Sequence, residues 1–221
     1  MLRSEVNKNI REAMDFFQAN NFKLPFFAYL TPEEWDEKKA DYENITKYSL
    51  GWDLTDFGSG NFNETGLLLF TIRNGHYDEP ESKKYAEKIM LVKENQVTPY
   101  HFHWKKKEDI INRSGGKLIL KLYKSDAEED FSDDDFTVVS DGRVIECQPG
   151  HEVTLDPGES ITLDPYIYHS FWALDGHGDV MVGEVSETSD DNQDNRFYDN
   201  QPRFTEITED EPKEFVLVNE Y

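Results

Sequence analysis

After Gly51 the chain breaks into short apolar or alternating runs separated by turns rich in glycine and aspartate, and this texture limits the fold more than any other feature. "GLLLFTIRNG" comes first, followed at short intervals by "KIMLVKENQ", "GKLILKLYKS", "FTVVS", "RVIECQ", "EVTL", "SITL", "YHSFWAL" and "DVMVGEVS". Runs of this length and composition read as strands. Asp141-Gly142 between "TVVS" and "RVIE" is a two-residue hairpin signal, and "DPG" at 156–158 and "DGHG" at 175–178 mark further turns. Many short strands joined by tight turns predict a mainly β body: a sandwich, a jelly roll or a closed barrel.

The segment ahead of it has a different period. Val6, Ile10, Ala13, Met14 and Phe17 recur at steps of three and four, which predicts an amphipathic helix ending near Asn20 and Asn21. In "TPEEWDEKKADYENI", Thr31 as N-cap, Pro32 in the first turn and Glu34 three residues after the cap start a second helix with a capping box. The expected organisation is a helical segment over 1–50 packed outside a β body over 51–221, one structural domain overall, which suits 221 residues of which 37% are hydrophobic. "TSDDNQDNRFYDNQPRF" has no clear period and reads as a long loop of the kind that often carries function, and "EFVLVNEY" as a terminal strand or packed extension.

With 46 acidic against 23 basic residues, the field of the protein repels nucleic acid and anionic membrane surfaces, and it disfavours a phosphorylated substrate. No apolar stretch suits a signal peptide or a membrane span, so a cytoplasmic protein is expected. Cys147 is the single cysteine, which excludes an internal disulfide and a CxxC site; it reads as a small strand residue. The acidic run "DAEEDFSDDD" lacks the glycine and terminal glutamate of an EF-hand and reads as solvated turns.

The chemistry concentrates in "PYHFHWKKKEDIINRSGG". Side chains two apart in a strand share a face, so His101 and His103 point the same way and can reach one ion. Glu108 lies five residues past His103, the wrong parity for one continuous strand, so "WKKK" must hold a turn that returns the carboxylate to the same cavity. His169, in a later strand, is the fourth ligand candidate, with Phe171 on its face. A lone His-x-His is more often incidental than metal-binding; the glutamate and third histidine at matched distance reverse that balance. Three imidazoles and one carboxylate without a thiolate suit Mn, Fe, Co, Ni or Zn, with open positions for a substrate.

Lys106 lies two residues before Glu108 and Glu184 shares parity with Val180 and Val182, so both can face the cavity. There the ammonium could steady an oxyanion or shuttle a proton, and the carboxylate could act as a base. Each has an ordinary alternative, a lysine in an exposed charge run and a carboxylate at the rim. Glu187, Glu206 and Arg196 are weaker candidates for proton transfer or hydroxyl recognition. The aromatics Trp104, Tyr168, Phe171 and Trp172 could shape a substrate pocket, although large aromatics more often fill cores.

The spacing of His101, His103, Glu108 and Gly115, with Gly158 and His169 eleven apart, resembles the two signature motifs of the cupin superfamily. The second motif departs from the usual form: proline stands one place late at Pro165, Tyr166 replaces the following glycine, and Ala173 replaces the terminal asparagine. The blocks "GWDLTDFGSGNF", "GLLLFTIRNG", "ENQVTPYHFHWKKKEDIINRSGG", "YHSFWA", "GEVSETSDDNQDNRF" and "RFTEITEDEP" together resemble the D-lyxose isomerase family of cupin sugar isomerases. That resemblance implies a cupin-type antiparallel β-barrel (jelly roll) and a manganese-dependent interconversion of free aldoses and ketoses, D-lyxose with D-xylulose and often D-mannose with D-fructose. It implies His101, His103, Glu108 and His169 as ligands, and the expected site adds Lys106 and Glu184 as catalytic groups with Arg196, Asp190, Trp104 and Phe171 against the sugar. A homodimer is the expected assembly, since it is common among soluble proteins. Two other classes share the shell: a cupin dioxygenase or oxalate-type enzyme, and a noncatalytic sugar-binding cupin.

Overall fold

The computed structural model describes residues 1–79 and 81–221. Helix α1 spans Arg3–Ala19, and Asn21 just beyond it takes a left-handed φ of 59°, a conformation that closes a helix. The capping box at Thr31 forms as expected, the Thr31 hydroxyl accepting from the Glu34 N–H at 3.2 Å and the Glu34 carboxylate from the Thr31 N–H at 3.0 Å. The helix it starts is short: α2 (Pro32–Lys38) gives way to a 3-10 turn, and α3 (Glu43–Lys47) follows.

The β body begins with β1 (Gly51–Thr55), β2 (Leu67–Arg73), β3 (Tyr85–Val92), β4 (Thr98–Phe102), β5 (Glu108–Gly115) and β6 (Leu118–Lys124). It continues with β7 (Phe136–Ser140), β8 (Arg143–Cys147), β9 (His151–Leu155), β10 (Ser160–Leu163), β11 (Ile167–Ala173), β12 (Val180–Glu187) and the two-residue β13 (Arg196–Phe197). These strands form two antiparallel sheets, ordered β1-β2-β3-β12-β5-β10-β7-β8 and β13-β4-β11-β6-β9. The cupin-type jelly roll is therefore present with its barrel open: two sheets face each other, and among the described residues no ladder joins them into a closed ring. Asp141 and Gly142, both at positive φ, make the tight turn between β7 and β8.

Why some runs are continuously apolar and others alternate follows from what covers each face. Leu69, Met90, Val92, Val180 and Val182 point between the sheets, where they meet Leu118, Leu120, Ile161 and Phe171. On the other face of the large sheet, Leu68, Phe70, Ile89, Leu91 and Met181 pack under Val6, Ile10, Ala13 and Phe17 of α1, with Leu217 from the C-terminal extension. Strands β2, β3 and β12 are thus buried on both sides, hence "GLLLF" and "KIMLV". The extension and α1 are clamped together, Arg3 reaching Glu209 at 2.6 Å and Glu220 at 2.5 Å. Since Phe17 is fully buried in that layer, Phe17→Ala is expected to cost about 3–5 kcal/mol of unfolding free energy, read as a lower urea midpoint with little change in slope.

No helix among the described residues is long and apolar enough to cross a membrane.

Candidate metal centre and active site

The inner face of the small sheet, at β4, its exit and β11, brings His101, His103 and His169 together, their ligand atoms all within 4.8 Å of one another. His101 on β4 sits directly across from His169 on β11, with ring centroids 4.1 Å apart. Each Nδ1 is already used. It faces the carbonyl of Pro99 at 2.9 Å in His101, of Ile167 at 3.0 Å in His169, and of Asp194 in His103. A protonated Nδ1 donating to a carbonyl leaves Nε2 as the lone-pair nitrogen, the arrangement that orients histidine as a ligand. Burial, then the proximity of His169 and His103, lowers the pKa of His101 well below its usual value and keeps that ring neutral.

Glu108 opens β5 and turns its Oε1 to within 3.1 Å of His169 Nε2 and 3.4 Å of His103 Nε2. Both Glu108 Oε1 and His169 Nε2 are buried without a hydrogen-bond partner. Two acceptors at that distance, with a lone pair on each, lack what a cation between them would supply. Donor set and geometry therefore fit one divalent ion held by His101, His103, Glu108 and His169.

A file of alternating charges leads away from this cluster. The Lys106 ammonium contacts Glu108 Oε2 and Glu184 Oε1, each at 2.8 Å. Lys88 approaches the same Glu184 oxygen at 3.4 Å and Asp191 at 3.3 Å, and Arg203 bridges Asp191 at 2.8 Å and Asp53 at 2.5 Å. Burial alone would raise the pKa of Glu184, but the charges of Lys106 and Lys88 outweigh it and hold it below the usual carboxylate value. Glu108 is held well below that value, with Lys106 the main force opposing its burial. Both carboxylates are ionised at neutral pH, and Lys106 stays charged because Glu108 and Glu184 offset its desolvation.

A profile of the D-lyxose isomerase family matches residues 1–221. The chain belongs to that family. The D-lyxose/D-mannose isomerase of Escherichia coli O157:H7 is 49% identical over 223 residues, covering 100% of this chain and 98% of that protein. The Serratia proteamaculans D-lyxose/D-mannose isomerase is 45% identical with the same coverage. Among solved structures, an Acinetobacter sp. DL28 L-ribose isomerase superposes with a TM-score of 0.65 over 94% of this chain and 98% of that one, at 13% identity. A Cellulomonas parahominis L-ribose isomerase gives a TM-score of 0.62 with the same coverage at 15% identity. These two share the fold; family membership makes the chain a sugar isomerase.

Within this member of the D-lyxose isomerase family, the cavity gathers His101, His103, Glu108, His169, Lys106, Glu184 and Phe171. Three of the expected sugar contacts lie elsewhere. Trp104 packs on Phe102 on the outer side of the small sheet and donates its indole N–H to Glu129 at 2.7 Å. Arg196 pairs with that same Glu129 at 3.0 Å, because β13 adds to the edge of β4 and turns the side chain outward. Asp190 accepts from the Asn192 N–H and from Gln193 within its own turn and faces a neighbouring chamber, whereas Asp191 enters the cavity. Of the weaker candidates, Glu187 accepts from the Lys107 N–H at 3.0 Å at the rim, and Glu206 is remote from the cavity. Tyr168 fills an aromatic cluster on the outer face, and Trp172, one residue off the inward parity of Phe171, does not line the cavity.

Sequence reasoning missed Lys88, Asp191, Asp194, Arg203 and Asp53. Asp194 is the reason "WKKK" turns where it does: its carboxylate accepts the Lys105 N–H at 2.9 Å and the Lys106 N–H at 3.0 Å, while its carbonyl takes His103 Nδ1. Tyr166, in the place of the motif glycine, takes a φ of 64° and donates its N–H to the His103 carbonyl at 3.0 Å, so the turn survives the substitution.

Proposed function

We propose that the chain interconverts free aldoses and ketoses, D-lyxose with D-xylulose and D-mannose with D-fructose, at a divalent metal; the ligand set suits Mn, Fe, Co, Ni or Zn, and the family resemblance points to Mn2+ among them. Family membership and the names of the two bacterial relatives support the substrates. One observation carries the chemistry: the buried Lys106 ammonium lies 2.8 Å from both Glu108 and Glu184, beside the three-histidine cluster. When bound, the metal supplies Lewis-acid polarisation of the carbonyl and the adjacent hydroxyl.

The residues do the proton work. Glu184, ionised and buried, takes the proton from C2 of the open-chain aldose and returns it to C1. Lys106 donates toward O1 as that oxygen gains charge and recovers a proton from O2 as C2 becomes the carbonyl, so the molecule is rearranged with no net gain or loss. Leu69, Met90, Ile110 and Phe171 form the apolar walls of the cavity beside these groups.

The test is ketose formation from a panel of free aldoses by chelator-treated protein, with and without added Mn2+. D-lyxose or D-mannose should give ketose only in the reconstituted sample, and in D2O a share of the ketose should carry deuterium at C1, through exchange of the proton held on Glu184. Absence of ketose from every pentose and hexose defeats the reading; deuterium at C1 excludes a direct hydride shift, which moves the C2 hydrogen without exchange. Oxygen uptake, which a cupin dioxygenase would show, is expected to be nil.

A further inference from the structure

Four cavity-lining residues carry a buried polar atom with no partner: Glu108 Oε1, His169 Nε2, Thr98 Oγ1 and Arg203 Nη1. The first two face the ion the cluster fits. The Arg203 donor has no such explanation, and a guanidinium N–H is costly to bury without an acceptor.

Its surroundings rule out an idle side chain. Arg203 Nη2 is fastened to Asp53 and Asp191 at 2.5 and 2.8 Å, and the planar fork so fixed turns Nη1 to a set position. Arg203 lines the histidine cavity, so its free donor belongs to that side of the ion pair, whereas Asp53, whose Oδ1 is likewise buried and unpaired, lines the chamber beyond. A sugar hydroxyl oxygen, which accepts a hydrogen bond, is complementary to the Arg203 donor.

The position is suitable as well. The histidine cavity leaves only about 30 Å3, whereas a polar chamber of about 350 Å3 adjoins it across Lys88 and Asp191, and Asp53 lines that chamber. An aldose whose first two carbons reach the histidines must extend its remaining carbons toward this boundary, where Arg203 stands.

Resting on the aldose–ketose reading above, we propose that Arg203, oriented by Asp53 and Asp191, is a specificity-determining residue that hydrogen-bonds a hydroxyl of the substrate beyond C2. Through Asp191 and Lys88 it belongs to the same file of charges as Glu184, so a purely structural role must be told apart from recognition. A cycle between substrate and enzyme groups does this.

kcat/KM is measured for the unaltered protein and for Arg203→Lys, which keeps the charge facing both aspartates, on the better of D-lyxose and D-mannose and on its deoxy analogues at each carbon beyond C2. In the unaltered protein one of these deletions should lower kcat/KM by about 10- to 100-fold, the scale of a hydrogen bond to a charged group. In Arg203→Lys the parent sugar should lose a similar factor, mainly in KM, and that same deletion should then cost less than about threefold. If every deletion costs the variant as much as it costs the unaltered protein, Arg203 is only a strut and the proposal is overturned. Should Arg203→Lys fail to fold by near-ultraviolet circular dichroism, Arg203→Gln combined with Asp53→Asn, which leaves Asp53 no unpaired charge, is put through the same cycle under the same criteria. An unaltered protein that makes no ketose from any aldose defeats the underlying functional reading instead.

Discussion

Glu184→Gln is expected to lower kcat by about 10²- to 10⁴-fold, the usual worth of a general base, while metal content and melting temperature change little. The side chain is buried, and its Oε1 lies 2.8 Å from Lys106 and 3.4 Å from Lys88. Glutamine has the same size and still offers an oxygen to Lys106, but it cannot take a proton from carbon. Removing one buried charge usually costs several kcal/mol because a partner is left unpaired. Here each ammonium keeps a second carboxylate, Glu108 for Lys106 and Asp191 for Lys88, so the charge file closes around the gap. Loss of rate with retained fold and metal is therefore the signature of the base. A kcat within threefold of the unaltered protein would transfer the proton step to another group and leave Glu184 as a spacer between two lysines.

The convergence of the histidines with Glu184 was legible from local rules because these residues sit on regular strands or, for His103, one residue past the end of one. His101 and His103 share a face by the period of two, His169 shares one with Phe171, and Glu184 follows Val180 and Val182 inward. The parity break at Glu108 called for a turn in "WKKK", and the structure has one. Its cause was out of reach, since Asp194 lies 88 residues beyond Lys106 in sequence and acts through contacts that no local pattern encodes. The same holds for the choice of Asp190 over Asp191: the segment is irregular there, so no period says which carboxylate turns inward. Lys88 left a usable signal. It shares parity with Ala86, Met90 and Val92, an otherwise apolar row of β3, and a lysine on a core-facing row needs a carboxylate. Trp104 and Arg196 were placed by residue type alone, and both went to the outer face of the small sheet, where Glu129 takes the indole N–H and the guanidinium.

Removing the ion, by chelation or by His169→Ala, is expected to reduce isomerisation by about 10³-fold or more, since Lewis-acid stabilisation of a developing oxyanion is worth several kcal/mol. The fold should survive this loss. Glu108 retains Lys106 at 2.8 Å, and the Nδ1 groups of His101 and His103 retain their carbonyls, so no helix, strand or turn described above depends on the ion. Stability should nonetheless fall by a measurable amount: a ligand present at one hundred times its dissociation constant contributes about 2.7 kcal/mol. For a chain of this size that is roughly 5–10 °C in melting temperature. Chelated unaltered protein should recover both the melting temperature and the activity when Mn2+ is returned, with one metal per chain by elemental analysis; His169→Ala should recover neither in full. An unchanged melting curve together with undiminished ketose formation after chelation would break the link between the cluster and the chemistry, because the two orphaned acceptors, Glu108 Oε1 and His169 Nε2, would then face each other at 3.1 Å with nothing between them in the working enzyme.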